Sequence, residues 1–407
     1  ILFIKASKII EMDITPQKGF ATKAIHAGPS NKSLGDPLIT PIVTSTIFRF
    51  DSVRPVKGYE YARVGNPTRS ALEACLAALE DAKYGLTFPS GQSATLAITH
   101  IFKKHDHILV SKDLFPGTES QMTSLREMRD IDVEYFDAMD LDAFRRALKP
   151  NTAAVWLESP TNPILNVVDI KAIADIAHKY KDKILVVIDN TFLTCYFQRP
   201  LDLGADITMY SMTKFMHGHS DVLMGAIVTN LPDIYGQLKH KQNILGLIPS
   251  PFDCYLVHRS LKTLSIRMEK HHENSLRVAK FLQKHPAIEK VIHPGLPDNP
   301  QYNITLKQTS GHSGIIAFYL KGATDEVKKF ASKLKYIALA GSLGGVESTI
   351  IFPYQMLFNR LTHEEKTSLG ITESFARLSV GIEDADELIN DLDQALNSIS
   401  ANSTSKL

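Results

Sequence analysis

The sequence predicts an α/β protein: a large domain on a mostly parallel sheet, followed by a smaller α+β domain. Two observations carry that expectation. From about residue 66 to 250, short apolar runs rich in β-branched residues alternate with helical stretches, the pattern that crossover-connected parallel strands require. Beyond about 260 the texture changes to a long helical stretch, shorter strands and a closing amphipathic helix.

The first 60 or so residues are rich in turn formers and proline, as in "GPSNKSLGDPLITPIVTSTIF", and read as an extended arm. Boundaries are expected near 1–65 for the arm, 66–260 for the large domain and 261–407 for the C-terminal domain. Strands are expected at "HILVS" (107–111), "AAVWLE" (153–158), "ILVVID" (184–189), "DITMYS" (206–211) and "LMGAIVT" (223–229). Between them, "TRSALEACLAALEDA" (68–82) and "DIKAIADIAHKY" (169–180) place apolar residues at helical spacing. In the last third, residues 256–285 read as one long helix, "GIIAFYLKG" as a strand, and "ADELINDLDQALNSIS" as the final helix.

Bulk properties exclude several classes. A chain of 407 residues suits two domains, and 44% hydrophobic with 22% charged residues is ordinary for a globular protein. A net charge of +1 gives no electrostatic case for nucleic acid or an acidic membrane surface, and no apolar run is long enough to span a bilayer. Cys75, Cys195 and Cys254 are scattered and form no CxxC, which fits a reducing compartment and a cytoplasmic location. No Walker loop, GxGxxG, GxSxG or HExxH occurs. His217 and His219, and the adjacent His271 and His272, lack a third convergent ligand in sequence and read as packing residues rather than a metal site.

The chemistry gathers at expected strand ends, where open α/β sheets bind ligands. In "FPSGQSATLAITHIF" a Ser-Gly turn opens a helix near Gly91 and Gln92, whose exposed N–H groups suit an anion. In "ILVVIDNTF", Asp189 ends an apolar strand and needs a cation or several donors to stay ionised; a turn or capping role is the alternative. In "YSMTKFMHGHSDVLMG", Ser211 and Thr213 can point together beside Lys214, an amine costly to bury unless it is used. In "YARVGNPTR", Tyr61 and Arg63 offer a phosphate clamp from the arm. A phosphate cup, an amine and a buried carboxylate together ask for a phosphorylated aldehyde with a basic ring nitrogen, which is pyridoxal 5'-phosphate.

On these residues the chain resembles the Cys/Met-metabolism family of pyridoxal-phosphate enzymes, the trans-sulfuration enzymes. The motifs run in order over nearly the whole length: "EYARVGNPTR", "SGQSAT", "ESPTNP", "VVIDNTF", "QRPLDLGADI", "YSMTKFMHGHSD", "SLGGVES" and "RLSVGIED". The resemblance implies a fold-type I, aspartate-aminotransferase-like subunit whose large sheet has seven strands. It also implies a homotetramer, a dimer of dimers with shared active sites. Carried over by position, Lys214 holds the cofactor covalently and moves protons, and Asp189 pairs with its ring nitrogen. Gly91, Gln92, Ser211 and Thr213 hold the phosphate, joined by Tyr61 and Arg63 of a neighbouring subunit. Asn162, Ser342 and Arg377 match the positions that bind the carboxylate of a small sulfur amino acid. The implied reaction is γ-elimination of cystathionine to cysteine, 2-oxobutanoate and ammonia. Relatives that act on methionine, or that make rather than break the bond, share the same chemistry.

Departures from the family pattern cluster beyond the cofactor. The usual "YGGTxR" reads "FPGTES", so Phe115 can stack but cannot exchange a proton, Pro116 follows it, and Ser120 stands where an arginine is usual. Gly341 replaces a glutamate, and "MTH" becomes "MLF", Met356 to Phe358. The cofactor cradle is complete while distal polar groups are lost, so altered or reduced γ-elimination is expected; a weakly active or non-catalytic homologue is the remaining alternative.

Overall fold

The computed structural model describes residues 19–28, 37–50, 52–53, 58–357 and 362–400. Much of the expected arm, the polar tail after the last helix and Phe358 lie outside these residues.

The arm begins, among the described residues, with a short helix, α1 (Phe20–His26), where irregular chain was expected. Phe20 and Ala24, one turn apart, are buried, and the Phe20 ring meets Tyr196 edge-on at 4.9 Å. This apolar stripe holds the helix against the large domain. Residues 37–50 carry no helix or named strand.

The large domain opens with α2 (Pro67–Leu79), whose start is set by Pro67 and by Asn66, which accepts the N–H groups of Thr68 and Arg69. Its strands are β1 (Tyr84–Phe88), β2 (His107–Ser111), β3 (Asp132–Phe136), β4 (Thr152–Glu158), β5 (Leu185–Asp189), β6 (Ile207–Ser211) and β7 (Gly225–Thr229). They form one seven-stranded sheet in the order β1-β7-β6-β5-β4-β2-β3. Only β7 runs antiparallel to its neighbours. The central strands are apolar on both sides because both faces are covered: Trp156 and Val187 face one core, Val155 and Val186 the other. Two helices matter for the site, α3 (Gly91–Thr99) and α4 (Pro116–Arg129).

The second sheet has five strands: β8 (Ile288–Ile292), β9 (Ile315–Leu320), β10 (Ala338–Leu339), β11 (Thr349–Ile351) and β12 (Phe375–Ser379), in the order β10-β11-β12-β9-β8. The closing helix Ala385–Ser400 packs Leu388, Leu392 and Leu396 into the core of this sheet. The expected long helix over 256–285 is two helices, Pro251–Leu261 and Leu264–Lys284. The chain breaks at Thr263, where the N–H groups of Lys262 and Thr263 turn back three residues to Arg259 and Ser260. The Ser260 carbonyl also accepts from the buried guanidinium of Arg267.

A candidate active site at the strand ends

Glu158, Asp189 and Ser211 are the last residues of β4, β5 and β6, and all three line a cavity of about 450 Å³. The same cavity is lined by Gly91, Gln92, Phe115, Asn162, Thr213, Lys214, Ser342 and Arg377, drawn from both sheets' surroundings. The sequence-predicted residues are thus brought together, apart from Tyr61 and Arg63. Tyr61 is 44% exposed, and Arg63 donates to Asn243 Oδ1 at 3.0 Å and lies 5.3 Å from the Tyr61 ring. Neither lines this chain's own cavity.

The lysine turn is tightly built. The Thr213 hydroxyl accepts the N–H of Met224 at 3.0 Å, the Lys214 N–H returns to the Ser211 carbonyl, and Arg267 donates to the carbonyls of Phe215 and Met216. Lys214 Nζ donates to Ser342 Oγ at 2.6 Å. Burial, and then the Arg377 charge, push its pKa down to about 8. Arg377 lies in the floor, one nitrogen donating to Asn162 Oδ1 at 2.6 Å and another to the Ser342 carbonyl at 2.6 Å. Its Nε is buried with no partner, and burial lowers its pKa to about 10.

Beside the lysine, α3 begins at Gly91, capped by the Ser90 hydroxyl, which accepts the N–H of Ser93 at 3.0 Å. The N–H groups of its first turn have no helical carbonyl behind them and make an anion site. A Cβ at Gly91 would stand 3.0 Å from Ser211 Cβ, and one at Gly225 only 2.2 Å from the Ser90 carbonyl oxygen. Glycine at these positions lets the helix start close onto β6 and β7. At the cavity wall, Asp189 Oδ1 accepts both the N–H and hydroxyl of Thr191, at 3.0 and 2.5 Å. Burial raises its pKa while these two bonds oppose the rise.

Sequence reasoning missed Thr191, Glu158 and Arg267. Thr191 has a double role, since its hydroxyl also accepts the Ser211 N–H at 2.8 Å. Of the departures from the family pattern, Phe115, Pro116 and Leu357 line the cavity, whereas Ser120 and Gly341 are not among its lining residues. Ser120 donates instead to the Pro116 carbonyl at 2.9 Å.

His217 pairs with Asp221, and His271 bonds the Val380 carbonyl at 2.8 Å. Among the described residues no group of three His, Cys, Asp or Glu side chains is arranged to hold a metal ion.

These residues fit pyridoxal phosphate. The glycine-lined helix start and the Ser211 and Thr213 hydroxyls can take the phosphate, Lys214 offers an amine already displaced toward its neutral form, and Asp189 offers a buried acceptor for a ring N–H.

Comparison with known proteins agrees with this geometry. The family described as Cys/Met metabolism PLP-dependent enzyme matches residues 21–397. A cystathionine gamma-lyase from Dictyostelium discoideum is 45% identical over 380 residues, covering 92% of this chain and 97% of that protein. One from Sus scrofa is 46% identical over 378 residues, 93% of each. Among solved structures, cystathionine gamma-lyase from Lactobacillus plantarum, complexed with L-serine, has a TM-score of 0.89 at 37% identity, covering 94% of this chain and 99% of that one. Corynebacterium glutamicum metB has a TM-score of 0.88 at 39% identity, covering 94% and 98%.

Proposed function

From its place in the Cys/Met metabolism family of PLP-dependent enzymes, to which this chain belongs, we propose that the protein is a carbon–sulfur lyase that breaks the Cγ–S bond of cystathionine. The single observation that carries the reading is the joined set Asn162–Arg377–Ser342–Lys214, which puts a carboxylate-binding guanidinium and a proton-carrying amine on the two sides of one serine.

When bound, pyridoxal phosphate supplies an electron sink that makes the substrate's α- and β-protons removable. The chain's own residues do the rest. Gly91, Gln92, Ser211 and Thr213 would hold the phosphate, and Asp189, kept in place by Thr191, would accept the ring N–H. The Arg377 guanidinium, a planar bidentate donor, would take the α-carboxylate together with Asn162. Lys214 Nζ, half-buried and displaced toward neutrality, would take the α-proton and, as an ammonium, can release it to the departing sulfur. Phe115, at the cavity wall, would offer an aromatic face to the cofactor ring.

Support for a shared, oligomeric site comes from exposed side chains of the arm and of the cavity wall. Leu223 lines it yet is 67% exposed, Leu38 and Val53 of the arm are fully exposed, and Tyr61 and Arg63 find no place in their own chain's cavity. We therefore propose a homotetramer in which the arm's Tyr61 and Arg63 serve a neighbour's phosphate site. The three cysteines are buried and none is in a disulfide, as a reducing cytoplasm permits, and among the described residues no helix is long and apolar enough to cross a membrane.

A second reading has an observation of its own. Among the described lining residues the only cations are Lys214 and Arg377, while Phe115, Leu223, Leu343 and Leu357 are apolar. That wall favours an uncharged thioether such as methionine over the charged far end of cystathionine. Assays of 2-oxobutanoate from cystathionine and from methionine, run side by side, decide between the two; no turnover of either would overturn both.

A further inference from the structure

Glu158 is a buried carboxyl that the reaction above does not use. It ends β4 directly opposite Asp189 at the end of β5, in register across the parallel pair. Two residues earlier on each strand, Trp156 and Val187 pack into the same core, so the two carboxyls leave the sheet on the same side. Glu158 is buried, and among the described residues it makes no ion pair, although Arg377, Lys214, Asp189 and Asp113 all face this region. Instead Glu158 Oε2 accepts the N–H of Phe115 at 3.0 Å, and the backbone N–H of Asn162 bonds the same carboxyl.

Those two N–H groups belong to working residues. Phe115 stands at the start of α4 with no side-chain cap of its own, is 43% exposed, and joins none of the packed apolar cores among the described residues. Its position over the cavity therefore depends on its backbone anchor. Asn162 carries the Arg377 guanidinium on its side chain. One carboxyl thus ties the ring that covers the cofactor to the residue that orients the substrate-binding arginine.

Two buried carboxyls side by side do not both ionise without a cation between them. Asp189 has the Thr191 donors and, with cofactor present, a ring N–H to stabilise its charge. We propose that Glu158 is a positioning residue: a neutral carboxylic acid at working pH that fixes Phe115 and Asn162 by accepting their N–H groups and leaves the negative charge to Asp189. The inference rests on the cofactor reading given above. Burial first, and then the neighbouring Asp189, raise the Glu158 pKa well above the usual carboxylate range, outweighing the two N–H bonds, which lower it.

The test compares holoenzyme, Glu158→Gln and Glu158→Ala by visible circular dichroism of the bound cofactor and its pH response. Cofactor affinity is read separately, from quenching of Trp156, the chain's one tryptophan, as pyridoxal phosphate is added back. An amide keeps an oxygen acceptor and carries no charge, so E158Q should match the wild type in band position, ellipticity and pH response. E158A should lose more than half of the visible ellipticity and bind cofactor about tenfold more weakly, the scale of leaving buried N–H groups unpaired. The proposal is overturned if E158A behaves as wild type, or if E158Q shifts the band's pH response, which would mean that the charge matters. Should E158A fail to fold, the E158Q comparison alone decides. A wild type with no cofactor band at all would instead remove the cofactor reading, and this role with it.

Discussion

Lys214 and Arg377 are joined through one residue: the lysine Nζ donates to the Ser342 hydroxyl and the arginine to the Ser342 carbonyl, both at 2.6 Å. Ser342 is held at φ 76°, a conformation a non-glycine residue adopts at some cost, so its hydroxyl and carbonyl are presented to both partners. The arginine charge thereby acts on the amine. Lys214, lowered to about 8 by burial and by Arg377, is increasingly neutral above that pH and increasingly protonated below it. Covalent capture of pyridoxal phosphate by the cofactor-free protein should rise with pH through about 8. In Arg377→Met one lowering influence is gone, so the midpoint should move to higher pH and capture at pH 8 should slow several-fold. Borohydride-trapped cofactor, measured against pH, gives both curves; an unmoved midpoint would refute the coupling.

The glycine packing at the phosphate cup gives a second expectation. A methyl group at Gly225 would meet the Ser90 carbonyl oxygen at 2.2 Å, so Gly225→Ala must push α3 away from β7. The cost should be about 1–3 kcal/mol of stability. Cofactor should be lost on dialysis under conditions where the wild type retains it. Gly236→Ala, where a Cβ meets nothing within 4 Å, serves as the control.

Specificity can be moved by restoring the missing polar groups. Phe115→Tyr returns a phenol to the cavity wall, and Gly341→Glu returns an acid next to Ser342 at a position where a Cβ meets nothing within 4 Å. Each substitution should leave stability within about 0.5 kcal/mol, as open positions do. The ratio of kcat/KM for cystathionine to that for methionine should rise about tenfold in the double variant, for roughly 1.4 kcal/mol of regained polar contact. An unchanged ratio would assign specificity to residues elsewhere.

Acid should weaken the fold through buried histidines. Burial lowers His271 and His258 to about 4 and His293 to about 3, all held neutral in the native protein. A depressed pKa means that the unfolded chain takes up protons first. Stability is therefore fully present above pH 6.5 and drains as pH falls from there toward 3 to 4, by up to about 1.4 kcal/mol per unit for each histidine. Denaturant midpoints between pH 7.5 and 5 should decline, and His271→Gln should flatten the slope. A midpoint independent of pH over this range would contradict the assignment.

The parts of the site that were legible in sequence share one property: each residue is placed by its own strand end. Asp189 closes an apolar run and Lys214 follows one, so period and position alone marked them. Ser342 lies 128 residues from Lys214, and Arg377 lies 215 from Asn162; only the family resemblance pointed to Ser342, Arg377 and Asn162. Glu158 was illegible because its partners are backbone N–H groups of distant loops, which leave no residue-type signature. Nothing in the helical run around Arg267 marks it in sequence, yet its guanidinium is buried against the carbonyls of the lysine turn. The break at Thr263 was hidden for the same reason, since no glycine or proline marks it.

The central claim is that Lys214 holds pyridoxal phosphate and that the loaded site cleaves a carbon–sulfur bond. The most direct measurement is borohydride reduction of the purified protein, peptide mapping of the fixed cofactor, and assay of 2-oxobutanoate from cystathionine on the unreduced sample. The expected result is a visible band abolished by reduction, label on the peptide containing Lys214, and product that disappears in Lys214→Ala. Label on another lysine, or no band after added cofactor, would contradict it.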